Sequence, residues 1–401
     1  MQLKDLASPA FYENPYPFYE ALRAAGPLVE LGSGIWVTGR YSVVDSLLRD
    51  RRMGRAYMRN VRARYGEERA KAHVFRSFEQ MMLLMNPPDH TRLRRLLMQV
   101  FNARQTESFR HMAQVIADHL IDGFVHTGSA DLMADFATPL PIKVICTLLD
   151  VSLADESMFT RSVGAIVHAL EVAPMSDDQI DQANQAALEL EAYFQDIMRE
   201  RRRCPGNDLI SMLLTTADGD DRLSDEEIAA NIVLMFVAGH ETTSNMIGNA
   251  LIALHQDRAE WDRIVAAPEH VPDAVAECLR YDPSVQMTGR AALEEIDIAG
   301  VHLQPEEMIF LCLGSANRDP ERFSEPARLM PGRAEKDARL LSFGGGIHHC
   351  LGARLATAEL EVALDTLARR LPGLRLTGLE HLRWHQRNTL RGVESLTARW
   401  Q

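Results

Sequence analysis

One stretch of this chain sets a lower limit on the size of its fold. Ser224-Asp225-Glu226-Glu227 is a capping box, in which the Ser224 side chain caps a helix and Glu227 reaches back to it. Behind it, helical periodicity runs to about His255, through Ile232, Met235, Phe236, Met246, Ile247, Ala250, Leu251 and Leu254. At about 1.5 Å per residue such a helix spans roughly 45–50 Å, enough to cross a whole domain. In its middle lies Ala238-Gly239-His240-Glu241-Thr242-Thr243, a polar island in an apolar stretch. A carboxylate there is costly unless it has a task or a partner.

The flanks read differently. The opening through Tyr19 is rich in Pro and aromatics and predicts a loop feeding a helix over 17–25. Residues 28–31 and 35–38 predict strands around Gly32-Ser33-Gly34, a hairpin. From Tyr41 to Gln256 helical periodicity dominates, with polar interruptions at 171–188 and 217–222 read as loops. After Met287, residues 296–298, 301–303 and 308–313 predict short strands, and 374–400 a second β-rich stretch. With no linker, repeat or low-complexity tract, the pattern implies a single domain over 1–401. It is mainly α with small β-sheets, an α+β class.

Charge narrows the partners. A net charge of −13 argues against a nucleic-acid binder. The five cysteines, Cys146, Cys204, Cys278, Cys312 and Cys350, are scattered and odd in number, so no disulfide framework is expected and a reducing cytoplasm fits. The N-terminus lacks a basic segment leading to an apolar one, and no uncharged apolar run reaches about 18 residues. No membrane insertion is expected.

The most distinctive chemistry sits in Phe343-Gly344-Gly345-Gly346-Ile347-His348-His349-Cys350-Leu351-Gly352, a glycine-rich turn carrying one cysteine ahead of a helix predicted over 353–370. A helix N-terminus and converging backbone N–H groups favour a thiolate, the form that binds metal. Glycines let backbone approach a flat group closely. A buried structural cysteine in a tight turn fits the bare pattern too. A zinc site fits poorly, because adjacent His348, His349 and Cys350 cannot easily converge on one tetrahedral ion and no Cys-x-x-Cys accompanies them.

The spacing Phe-x-x-Gly-x-x-x-Cys-x-Gly resembles the haem-binding loop of the cytochrome P-450 family. Further motifs follow the family in order along nearly the whole chain. They are His90-x-x-x-Arg94, Ala238-Gly239-x-Glu241-Thr242-Thr243, Glu277-x-x-Arg280, the Pro320-Glu321-Arg322-Phe323 stretch and the cysteine loop. Leu329-Met330-Pro331-Gly332-Arg333 departs from the usual aromatic-containing version, which predicts a loosened packing contact. The resemblance implies haem b (iron protoporphyrin IX) between the long central helix and the cysteine loop, with Cys350 as the iron ligand. Phe343, Gly344 and Ala238 would lie against the haem. His90, Arg94, Arg290 and His348 would hold its propionates. Thr242 would be the hydroxyl on the oxygen side and Glu241 the proton relay, with Gly239 leaving room for O₂. Glu277 and Arg280 would pair to support the loop.

The implied activity is a monooxygenase that hydroxylates or epoxidises a hydrophobic small molecule, a secondary metabolite such as a polyketide, macrolide, terpenoid or peptide. Electrons would come from NAD(P)H through a separate ferredoxin or flavodoxin and its reductase, docking near Arg92 to Arg95, and the chain would act as a monomer. A peroxygenase or isomerase, or a non-catalytic haem sensor, are the alternatives. Glu241 and Thr242 argue against them, because peroxide-driven members can dispense with that pair and a sensor would not need a proton relay.

Overall fold

The Ser224 capping box forms. The Ser224 hydroxyl accepts from the Glu227 N–H at 3.1 Å, and Glu227 accepts from the Ser224 N–H at 2.9 Å. The helix that follows, Asp225–Gln256, has 32 residues. This computed structural model describes residues 5, 6, 8–32, 34–101, 103–171, 174–333 and 339–401, with side chains except at 103–107 and 156. Ser33, the centre of the expected hairpin turn, lies outside the described residues. The chain divides into two compact units. The first comprises Met1–Met53, Ser108–Pro141 and Glu241–Gln401, the second Gly54–Glu107 and Ile142–His240.

In the first unit four strands lie side by side in the order Val29–Gly32, Ile35–Thr38, Met308–Cys312 and Met287–Ala292. Met308–Cys312 runs parallel to Ile35–Thr38 and antiparallel to Met287–Ala292, with Ile309 opposite both Trp36 and Arg290. Ile309, Leu311 and Ala292 of the sheet pack with Val43, Val44, Leu47 and Leu48 from the helix Tyr41–Arg49 in one buried cluster. Alternating apolar residues on the strands and i, i+3, i+4 spacing on the helix produce that interface.

Helix Val271–Tyr281 carries the Glu277–Arg280 pair, and both side chains are almost fully buried. Arg280 donates to Glu277 through Nε at 2.9 Å and Nη2 at 2.7 Å. Its remaining N–H groups reach the carbonyls of Asn317, Pro326 and Arg328 at 2.9–3.0 Å. Arg333 Nε and the Met330 N–H both donate to Glu277 Oε1 at 2.8 Å. Arg333, within the divergent stretch 329–333, completes the network.

In the second unit Phe159 stacks with both Phe194 and Phe236, the Phe159 and Phe236 centroids lying 4.5 Å apart. Phe194 belongs to the helix Asp177–Arg203, which corrects the loop expected over 171–188. Ser176 and Gln179 form a capping box, Asp177 and Asp178 lie in the first turn, and Ile180, Ala183, Ala187 and Leu190 give the buried stripe. The polar content of 177–188 is a solvated helix face rather than a loop. The stretch 217–222 forms a two-stranded hairpin, Ala217–Asp218 with Asp221–Arg222, turning at Gly219 with φ +61°. The C-terminal expectation was too generous: only Arg375–Leu376 and Thr397–Arg399 are strands there, joined by irregular chain. Among the described residues no helix is long and apolar enough to cross a membrane, and all five cysteines are free thiols.

Helix Ala353–Arg370 buries Glu359, whose Oε2 has no hydrogen-bond partner among the described residues. Burial pushes this carboxyl up from 4.5 to about 8. Between those pH values the folded chain holds one proton more than the unfolded chain, so stability from this group falls as pH rises through the window. Glu359→Gln should therefore gain stability relative to the parent chain on going from pH 5 to pH 8, read as urea midpoints at each pH. Glu277→Gln strands Arg280 and Arg333 in a buried setting and should cost about 3–5 kcal/mol in the same assay.

Candidate functional site

Cys350 ends a loop that needs glycine at two positions. Gly344 and Gly346 have φ of +67° and +63°, and a Cβ on Gly346 would stand 2.1 Å from the Leu48 carbonyl oxygen. The loop is closed by backbone bonds. The Gly344 N–H donates to Leu341 O at 2.8 Å, His349 N–H to Gly346 O at 3.2 Å and Cys350 N–H to Phe343 O at 3.0 Å. Arg339 Nη2 donates to the Gly344 carbonyl at 3.1 Å, and the Tyr41 hydroxyl anchors Arg339 through its carbonyl at 2.8 Å. Phe343, Gly344 and His348 are half-buried, and Cys350 is exposed at the loop's end. Helix Ala353–Arg370 starts three residues on, so its positive end faces the loop.

Arg290 lies on the strand Met287–Ala292 of the same unit and is 3% exposed. Its Nη1 donates to Gly289 O at 3.0 Å and Thr288 Oγ1 at 3.3 Å, and among the described residues it has no carboxylate partner. Burial lowers its pKa to about 10, which leaves it charged at neutral pH. A buried cation with only neutral partners suits an anionic ligand.

On the long helix, Ala238 is exposed although Val237 and His240 beside it are buried. Thr242, four residues on, shares its helical face and is half-buried. A Cβ on Gly239 would meet Ile145 Cδ1 at 3.1 Å, so glycine here permits close packing against Ile145. Glu241 is 14% exposed and ion-paired to Arg387, which is 12% exposed. Arg387 was not legible in the sequence: 146 residues separate the partners and no motif surrounds it.

In the second unit, His90 and Arg94 lie on helix Asp89–Val100, four apart and so on one face; His90 is buried and Arg94 half-buried. Arg92 and Arg95 are not a freely solvated basic face. Arg92 pairs with Glu227 and with Asp221 at 3.3 Å, and Arg95 pairs with Asp218 and with Asp221 at 2.9 Å. Among the described residues no group of three or more His, Cys, Asp or Glu is placed to hold a metal ion, so the zinc alternative gains nothing.

A family model described as "Cytochrome P450" matches residues 35–266 and 268–371. The chain is 48% identical over 398 residues to "Putative cytochrome P450 133B2" of Xylella fastidiosa (strain 9a5c), covering 99% of both chains. It is 37% identical over 374 residues to "Mycinamicin IV hydroxylase/epoxidase" of Micromonospora griseorubida, covering 92% of this chain and 90% of that one. Among solved structures, P450BioI in complex with acyl carrier protein carrying hexadec-9Z-enoic acid superposes with a TM-score of 0.91. It is 33% identical and covers 98% of this chain and 100% of that chain. Agreement at this length and identity, on a mainly helical fold with small sheets, makes the chain a member of the cytochrome P450 family and a haem-dependent monooxygenase.

Proposed function

We propose that this monooxygenase inserts oxygen into a hydrophobic small molecule, a secondary metabolite, with Cys350 as the ligand to haem iron. The observation that carries the reading is the Cys350 loop, which two positive-φ glycines and the Phe343 carbonyl hold at a helix N-terminus. When bound, haem supplies O₂ activation, and a thiolate ligand favours O–O cleavage by donating electron density. In this reading Phe343, Gly344 and Ala238 would lie against the porphyrin. Arg290, His348, His90 and Arg94 would hold the propionates, with Arg290 contributing the buried positive charge that a carboxylate matches.

Glu241 and Thr242 are the proton-handling pair. Thr242 presents a hydroxyl on the face it shares with Ala238, and Glu241, one residue before it, passes protons to that face. The pair supports a reductant-driven monooxygenase over a peroxygenase or a haem sensor. The whole chain then acts as one catalytic domain and as a monomer. Electrons come from NAD(P)H through a separate ferredoxin or flavodoxin and its reductase. Docking at Arg92–Arg95 would have to compete with Asp218, Asp221 and Glu227. The free cysteines fit a cytoplasmic setting.

Substrate class rests on similarity. A relative named for mycinamicin IV and a structure holding a carrier-bound fatty acyl chain both point to bulky, apolar substrates. Screening macrolides, terpenoids and long-chain acyl compounds for the optical shift of the ferric haem should identify the substrate.

Two variants test the site. Cys350→Ser should abolish the thiolate-type Soret position of the ferrous–CO adduct; an unmoved band would overturn the ligand assignment. Thr242→Ala should lower product formed per NADPH by about tenfold or more while NADPH oxidation continues and peroxide accumulates. An unchanged product yield would remove Thr242 from the relay.

A further inference from the structure

The Glu241–Arg387 ion pair joins the middle of the long helix to the turn spanning residues 384–393. That turn is braced from several directions. The His385 N–H donates to the Gly392 carbonyl at 3.0 Å, and Trp384 bridges to Val393. The Gln286 N–H donates to the Thr389 carbonyl at 2.8 Å, and Val285 bridges to Leu390. Arg391 holds Asp282 at 3.0 Å and 3.1 Å, and its guanidinium lies 3.5 Å from the Trp384 ring centroid. Arg387 sits within this frame, its own N–H donating to the His385 carbonyl at 2.9 Å. Its backbone position is therefore set by contacts that do not involve Glu241.

A mostly desolvated ion pair adds little net stability, because loss of hydration offsets the Coulomb attraction. It does fix geometry. A guanidinium fork on an anchored turn restricts where the Glu241 carboxylate can lie, and Glu241 is one residue from Thr242. We propose that Arg387 is a positioning residue that holds the Glu241 carboxylate at the point from which it passes protons towards Thr242. This rests on the relay reading of Glu241 above.

The test needs no identified substrate. The haem-loaded full chain, a ferredoxin, its reductase, NADPH and O₂ suffice. O₂ then takes two electrons and two protons to hydrogen peroxide, or four of each to two waters, with NADPH as the reductant. Arg387→Met should slow NADPH oxidation about fivefold or more and raise the solvent deuterium isotope effect, since a misplaced relay makes proton delivery limiting. Arg387→Lys should recover most of the rate. In a Glu241→Gln background, Arg387→Met should add no further loss.

A readout independent of turnover is the Glu241 carboxylate infrared band of the ferric protein, assigned by the difference between parent and Glu241→Gln. It should shift in Arg387→Met and return in Arg387→Lys. The ferrous–CO spectrum monitors integrity, and Arg387→Gln replaces the Met variant if that one fails to retain haem. If Glu241→Gln is slow but Arg387→Met is not, the positioning role falls and the relay stands. An equal loss in both backgrounds, or an unmoved band, also overturns the positioning role. If Glu241→Gln itself runs at the parent rate, the relay reading falls and this inference with it.

Discussion

The buried carboxylate of Glu277 is the point on which the first unit's organisation depends. It receives Arg280, Arg333 and the Met330 N–H, so its charge is opposed by two guanidinium groups. Arg280 in turn gathers three main-chain carbonyls from 317–328. The network continues towards the cysteine loop. Asn317 Oδ1 accepts from the Leu341 N–H at 2.9 Å, Asn317 Nδ2 donates to Ser342 Oγ at 2.8 Å, and Ser342 donates to the Leu279 carbonyl at 2.6 Å. Phe343 follows directly. A chain of charge-assisted and neutral hydrogen bonds thus runs from helix Val271–Tyr281 to the start of the loop that ends in Cys350. Each buried polar group along it is paired, which is the condition under which such a network rigidifies rather than destabilises.

The long helix uses the opposite strategy. Its buried residues are mostly apolar, and polar groups appear where something external meets them. Asn231 accepts from the Met82 N–H at 3.0 Å and donates to the Gln80 carbonyl at 3.1 Å; Asn249 donates to the carbonyls of Asp282 and Arg391. Glu241 meets Arg387. Glycines mark close approach to neighbours: Gly239 towards Ile145, and Gly248, where a Cβ would stand 2.7 Å from Met133 Sδ. Most of the helix is therefore specified by packing. The face shared by Ala238 and Thr242 is the exception, since neither residue is fully buried mid-helix.

Cationic side chains separate into two kinds. Arg92 and Arg95 sit among acids from the hairpin at Ala217–Arg222 and from Glu227, so they serve local structure. Arg290 keeps its charge in a buried site with, among the described residues, neutral partners only. The distinction turns on which acids the fold brings near, and composition is silent on that.

Local signals were enough to determine several elements. The Ser224 capping box, the strands at 35–38, 296–298 and 301–303, the helix from Ala353 and the glycine-dependent turn before Cys350 all follow from residue type and short-range spacing. The Glu277–Arg280 pair was legible through the family resemblance; the i, i+3 spacing allows such a pair, but helices carry that spacing too commonly for it to decide anything alone. Where the reading failed, the cause was equally physical. Residues 177–188 are polar because one helix face is solvated, and their apolar stripe is too sparse to outweigh that locally. The C-terminal apolar residues are buried in irregular chain, held by bonds to distant segments rather than by a ladder. Tertiary structure alone decided the partners of Glu241, Glu277 and Arg92, the bracing of the turn around Arg387 and the burial of Glu359. Those outcomes depend on segments tens to hundreds of residues apart meeting, and no local pattern encodes which distant charge will arrive.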